Sequence, residues 1–156
     1  MRERQSQRLH RAQRYRQAVA KAARTTIDGG RPAGRPLSFP TRREQLRIKA
    51  WLVLRRNATR DYLDVVALAE RLGVAAAARV AVELDSFYED QRGAGGERIA
   101  TQLAKQLAEP APYDRDDVDL RTYRRLAKRW HDWREVESAC RALAHRMLDE
   151  IASGGG

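Results

Sequence analysis

Thr41-RREQLRIKAWLVLRRNATRDYLDVVALAERL-Gly73 carries two helical hydrophobic repeats back to back. Leu46, Ile48, Leu52 and Val53 recur at helical spacing in its first half, and Tyr62, Val65, Val66, Ala69 and Leu72 do so in its second. Gly73 follows the last of them, where a left-handed cap fits, and the two predicted helices meet near Asn57. The alternation of a half-buried strand is absent here and along the rest of the chain.

Downstream the same period continues. A third helix is predicted from Ala77, Val80, Ala81, Leu84, Phe87 and Tyr88, and the run Arg92-Gly-Ala-Gly-Gly96 ends it. Ile99, Leu103 and Leu107 mark a fourth, and Pro110 and Pro112 punctuate the joint after it. The last helix is predicted to start at Asp132, which can cap it while Glu135 reaches back. It aligns Trp133, Val136, Cys140, Leu143, Met147 and Ile151 on one stripe. The fold class expected is all-α, a bundle of five or six helices over residues 41–152.

Upstream the pattern weakens. Gly29-Gly30-Arg-Pro32-Ala-Gly34-Arg-Pro36 breaks regular structure, so residues 29–40 read as a linker and a domain boundary. Residues 1–28 read as an arginine-rich helix or disordered arm, with only a thin stripe of Leu9, Ala12, Ala18, Val19 and Ala22.

A chain of 156 residues suits one domain plus a tail. The single cysteine, Cys140, leaves no internal disulfide, and no Cys–His spacing suits zinc, which points to an intracellular chain without a structural metal. Apolar stretches fall far short of the roughly 20 residues that a membrane span needs. The expectation from these features is a cytoplasmic protein with no membrane partner.

The net charge of +10 is uneven: residues 1–60 hold 17 Lys and Arg against three acids, and residues 61–156 hold 14 against 18. Such asymmetry is a common electrostatic footprint of nucleic-acid contact. Arg4, Arg8, Arg11, Arg14, Arg16, Lys21 and Arg24 are therefore candidate nucleic-acid-binding residues, with RNA an expected partner.

Several residues with chemical potential cluster in the opening stretch. Asp61 and Asp64 stand three apart and share one helical face, and Lys49 lies twelve residues before Asp61. The chain has four lysines against 27 arginines, so the lysine at 49 stands out. The plain structural reading makes the two aspartates complements to a helix N-terminus and Lys49 a snorkelling side chain. Asp117-Val-Asp119 reads as an acidic loop and the first turn of a helix carrying Leu120 and Tyr123. Trp130 and Trp133, after Arg124, Arg125, Lys128 and Arg129, suit either base stacking or packing, with packing the better use of Trp133. Cys140 and His145 are five apart, which does not juxtapose them on a helix.

The combination of Lys49, Arg60-Asp61, Asp64 and Leu68 resembles the C-terminal signature of the AbiEii/AbiGii-type nucleotidyltransferases, the toxin halves of bacterial toxin–antitoxin and phage-defence pairs. The resemblance spans about residues 41–144 and includes the tail-like run Tyr123-Arg-Arg-Leu-Ala-Lys-Arg-Trp130-His-Asp-Trp133. It implies nucleotide contacts for Lys49 and Arg60 and a catalytic role for Asp61, with Asp64 supporting. It further implies magnesium, a nucleoside triphosphate, a tRNA acceptor and a cognate antitoxin. The family's metal-binding palm, a Gly-Ser turn followed by Asp-x-Asp, has no counterpart before Lys49, where the only acids are Glu3, Asp28 and Glu44. The functional expectation is therefore a partial nucleotidyltransferase, incomplete by itself, needing no cofactor alone and a separate chain to carry the palm. The alternative is a stand-alone basic helical protein that binds nucleic acid or acts as an adaptor.

Overall fold

A computed structural model describes residues 40–89, 94–123 and 125–154. The arginine-rich segment, with Arg4, Arg8, Arg11, Arg14, Arg16, Lys21 and Arg24, and all but the last residue of the expected linker lie outside the described residues.

Helix α1 spans Arg42–Arg56. A capping box opens it: the Thr41 hydroxyl accepts from the Glu44 backbone N–H at 3.3 Å, and the Glu44 carboxylate accepts from the Thr41 N–H at 2.7 Å. It ends at Asn57, which takes the left-handed conformation (φ 50°) that asparagine tolerates better than most residues. Helix α2, Thr59–Leu72, then runs back along α1 and stops at Gly73, whose φ of 82° suits glycine. Both boundaries agree with the apolar periodicity and the glycine stop.

The third predicted helix is two. Helix α3 covers Val74–Val82 and α4 only Leu84–Phe87, with Glu83 between them. Past this break Leu84 is buried and Tyr88 stacks on Trp51, ring centroids 4.1 Å apart and 5° from parallel. The Glu83 carboxylate faces α1, 3.5 Å from Arg43 and 3.6 Å from Arg47.

A short 3-10 turn at Ala94–Gly96 leads into α5, Ile99–Ala108, which stops before the buried Pro110 and Pro112. Two further 3-10 turns, Leu120–Thr122 and Lys128–His131, precede α6, Trp133–Ser153. The Asp132 side chain caps α6 by accepting from the Arg134 N–H at 3.0 Å, and Gly154 follows its last residue. Val136, Cys140, Leu143 and Met147 of the predicted stripe are buried, and Trp133 and Ile151 are half-buried at its ends.

The described residues form an all-α bundle with no strand among them. The longest helix, α6, packs mainly on α5 and α3, while α1 and α2 pack on one another. Leu46, Val53, Val65, Val80, Leu103, Leu107 and Trp130 join the α6 stripe in one contiguous core. Each such aliphatic side chain contributes about 1.5–3 kcal/mol when fully buried. Among the described residues no helix is long and apolar enough to cross a membrane.

Candidate functional site

The antiparallel pair α1–α2 brings together three of the four residues singled out in the sequence. Lys49 Nζ lies 2.7 Å from an Asp64 carboxylate oxygen, both side chains about one-third exposed. About two helical turns further along α1, Arg56 Nε lies 3.1 Å from Asp61 Oδ2, with the Asp61 side chain fully buried. The fourth, Arg60, is exposed on α2 and has no ion pair among the described residues.

These contacts explain the spacing of the motif. Two helices that reverse over Asn57-Ala58 place 56 opposite 61 and 49 opposite 64, so complementary charges at those positions stitch the pair. Burial pushes the Asp61 carboxyl above its ordinary value of 3.8, and the Arg56 and Lys49 charges pull the other way. Each carboxylate already has a cation from its own hairpin. Among the described residues no group of three or more His, Cys, Asp or Glu side chains is placed to hold a metal ion.

A second polar cluster, which the sequence did not announce, locks the same end of the bundle. The Tyr62 hydroxyl donates to Asn57 Oδ1 at 2.6 Å. Gln106 Nε2 lies 2.8 Å from Asn57 Oδ1, 3.1 Å from the Tyr62 oxygen and 3.1 Å from the Val53 carbonyl. Asn57 Nδ2 donates to the Ala111 carbonyl at 2.8 Å, and the Tyr113 N–H donates to the Asn57 carbonyl at 3.0 Å. Burial pushes the Tyr62 phenol up to about 12, so it is held as a hydroxyl and serves as a hydrogen-bond relay.

Asp114 completes the cluster. Its Oδ1 accepts from the Thr59 N–H at 2.7 Å and from the Thr59 hydroxyl at 2.8 Å. The residue at the N-cap of α2 is Ala58, which has no capping oxygen, so the cap is supplied from 55 positions downstream. Arg115 lies over the Trp133 ring at 5.2 Å, and Trp133 meets Tyr62 edge-on at 6.1 Å.

Other sequence candidates have structural uses. Asp119 caps the Leu120–Thr122 turn through the Arg121 N–H, as its plain reading anticipated, although the turn does not extend into a helix. Trp130 is buried, with Arg129 over its ring at 4.0 Å and paired to Glu70 at 2.8 Å, which leaves it no open face for base stacking. Cys140 is buried with its thiol pushed up to about 12, and His145 is exposed, so they form no catalytic pair.

Sequence reasoning missed Arg56, Gln106 and Asp114, and read Asn57 only as the joint between two helices. Arg56 had a usable signal, five positions before Asp61 across a predicted turn. Gln106 and Asp114 had none, since their partners lie about fifty residues away.

Comparison with known proteins redirects the functional reading. No family model matches the chain, and no solved structure does. Matches are found among transport proteins. The mycolic acid-containing lipids exporter MmpL11 of Mycolicibacterium smegmatis is 34% identical over 119 residues, 76% of this chain and 12% of its own. The heme uptake protein MmpL11 of Mycobacterium tuberculosis is 35% identical over the same share of each. The probable transport protein MmpL11 of Mycobacterium leprae is 33% identical over 125 residues, 76% of this chain and 11% of its own.

These matches overturn the resemblance to AbiEii-type nucleotidyltransferases, and with it the expected toxin–antitoxin and phage-defence function, the tRNA partner, the antitoxin and the separate palm chain. The physical reason is visible in the hairpin, where Lys49–Asp64 and Arg56–Asp61 are cross-helix ion pairs whose spacing imitates a catalytic signature. The alternative of a nucleic-acid-binding protein gains no support from the same relatives. The expected cytoplasmic setting without a membrane partner is likewise corrected by the similarity to a segment of an exporter. A contiguous match of 119 residues in a chain of 156 must take in α1 to α5 and the cluster around Asn57. The chain is thus similar, through most of its described bundle, to a segment that makes up about one-eighth of the MmpL11 transport proteins.

Proposed function

We propose that this bundle is the counterpart of a helical module of MmpL11-type transport proteins, one that sits in water beside the membrane across which such an exporter works. The observation that carries this reading is the match itself: three-quarters of this chain aligns at 33–35% identity with about one-eighth of each relative. The fold supports it, because none of the described helices is long and apolar enough to span a bilayer. The bundle has its own contiguous core and internally paired charges, the properties of a module that folds beside its transporter.

The module reading leaves the chain without chemistry of its own and gives it a supporting role in lipid or heme transport. A replacement experiment tests this. In the Mycolicibacterium smegmatis exporter, the aligned segment is deleted or exchanged for this chain, and export of mycolic acid-containing lipids is measured. Deletion is expected to reduce export and the exchange to restore it. An exchanged exporter that accumulates normally yet exports no better than the deletion sinks the proposal.

A further inference from the structure

An arginine, an aromatic ring and a carboxylate form a unit that this bundle uses more than once. Arg129 lies over the Trp130 ring at 4.0 Å and pairs with Glu70 at 2.8 Å. Arg47 lies over the Phe87 ring at 4.4 Å and approaches Glu83 at 3.6 Å. A planar guanidinium can stack by its face and meet an acid by its edge, a combination that an ammonium group does not match.

The loop after α5 presents the ring and the acids of such a unit to solvent. Tyr113 is 75% exposed, against 48% for Leu148 and 41% for Val74, the other large apolar residues exposed among those described. Asp116 and Asp117 follow it three and four positions on, both exposed and without an ion pair among the described residues. Covalent geometry keeps the Tyr113 and Asp116 Cα atoms within about 11 Å of one another. Two overlapping turns draw the loop tighter, with the Arg115 N–H donating to the Pro112 carbonyl at 3.3 Å and the Asp117 N–H to the Asp114 carbonyl at 3.2 Å. Arg115, the cation of this loop, lies over the Trp133 ring at 5.2 Å, and Asp114 and Asp119 serve as caps.

The backbone around Tyr113 is also fixed. Asn57 Nδ2 donates to the Ala111 carbonyl, the Tyr113 N–H donates to the Asn57 carbonyl, and Asp114 accepts twice from Thr59. A tyrosine on a backbone held in this way has two side-chain torsions left to order, so little conformational entropy opposes a contact there.

We propose that Tyr113, with Asp116 and Asp117, docks an arginine-bearing segment of another protein, the guanidinium stacking on the exposed ring and its edge meeting a carboxylate. Charge complementarity sets the class of partner: the two carboxylates repel nucleic acid and anionic lipid and attract a cationic peptide, and the ring favours arginine over lysine. The inference goes beyond the transporter reading and does not depend on it.

The test is fluorescence anisotropy of a labelled octapeptide of alternating glycine and arginine, titrated with the full chain, beside the same peptide built with lysine. The arginine peptide is expected to bind about three-fold tighter. Tyr113→Ser should weaken its binding about five-fold and remove the preference, and Tyr113→Phe should keep both, since the ring does the stacking. Asp116→Asn combined with Asp117→Asn should weaken both peptides about three-fold. These side chains stand in solvent, away from the core, and circular dichroism checks that each variant keeps its helices.

Absence of binding overturns the proposal, as does equal binding of the two peptides or binding that Tyr113→Ser leaves unchanged. Binding lost in Tyr113→Phe as fully as in Tyr113→Ser would put a hydrogen bond of the phenol in place of the stack and overturn the role given to the ring. Self-association of the free chain that Tyr113→Ser abolishes would make a second copy the occupant and overturn the choice of an outside partner.

Discussion

At the scale of single residues, the buried Asp61 is the most consequential position. Its carboxyl holds a proton to higher pH than an unfolded aspartate does, chiefly because burial disfavours the charged form. In the pH window just above 3.8 the folded state therefore binds more protons than the unfolded one, and this residue's contribution to stability falls as pH rises through it. Asp61→Asn removes the titration while keeping the shape. Relative to wild type, the variant is expected to gain stability on going from acidic to neutral pH, measured by urea unfolding at both. A variant that instead loses ground toward neutral pH would show that the Arg56 and Lys49 charges outweigh desolvation. The sequence made Asp61 and Asp64 visible as a pair on one face, yet their meaning depended on Arg56, which only the turn at Asn57 brings alongside.

At the scale of elements, legibility followed locality. The last helix was readable because its cap at Asp132, its stripe and its stop at Gly154 lie within or next to it. The break at Glu83 was not, since glutamate is a good helix former and nothing in its immediate sequence marks a stop. The start of α2 was legible near Asn57, but its cap was hidden, because it arrives from Asp114 across 55 positions. Asp114→Ala is expected to lower stability by about 1 kcal/mol, the usual loss when a cap is removed. The urea midpoint should fall with an unchanged slope. A midpoint that does not move would mean that solvent replaces the carboxylate at no cost.

At the scale of the whole molecule, α6 closes the core by covering α3 and α5, and the only cysteine of the chain lies at the middle of its buried stripe. The Cys140 thiol is fully buried and, with its pKa pushed up to about 12 by burial, almost never a thiolate in the folded state. Alkylation is therefore expected to be slow in native buffer and complete in urea, followed by mass. Fast native labelling would mean that α6 lifts away without global unfolding. When opening is fast relative to modification, the labelling rate tracks the population of open molecules. The loss of the distant Asp114 cap should then speed labelling about five-fold, the factor that corresponds to about 1 kcal/mol. Cys140 is in this sense a clock placed by the fold itself: without any added probe, it counts how often the bundle comes apart.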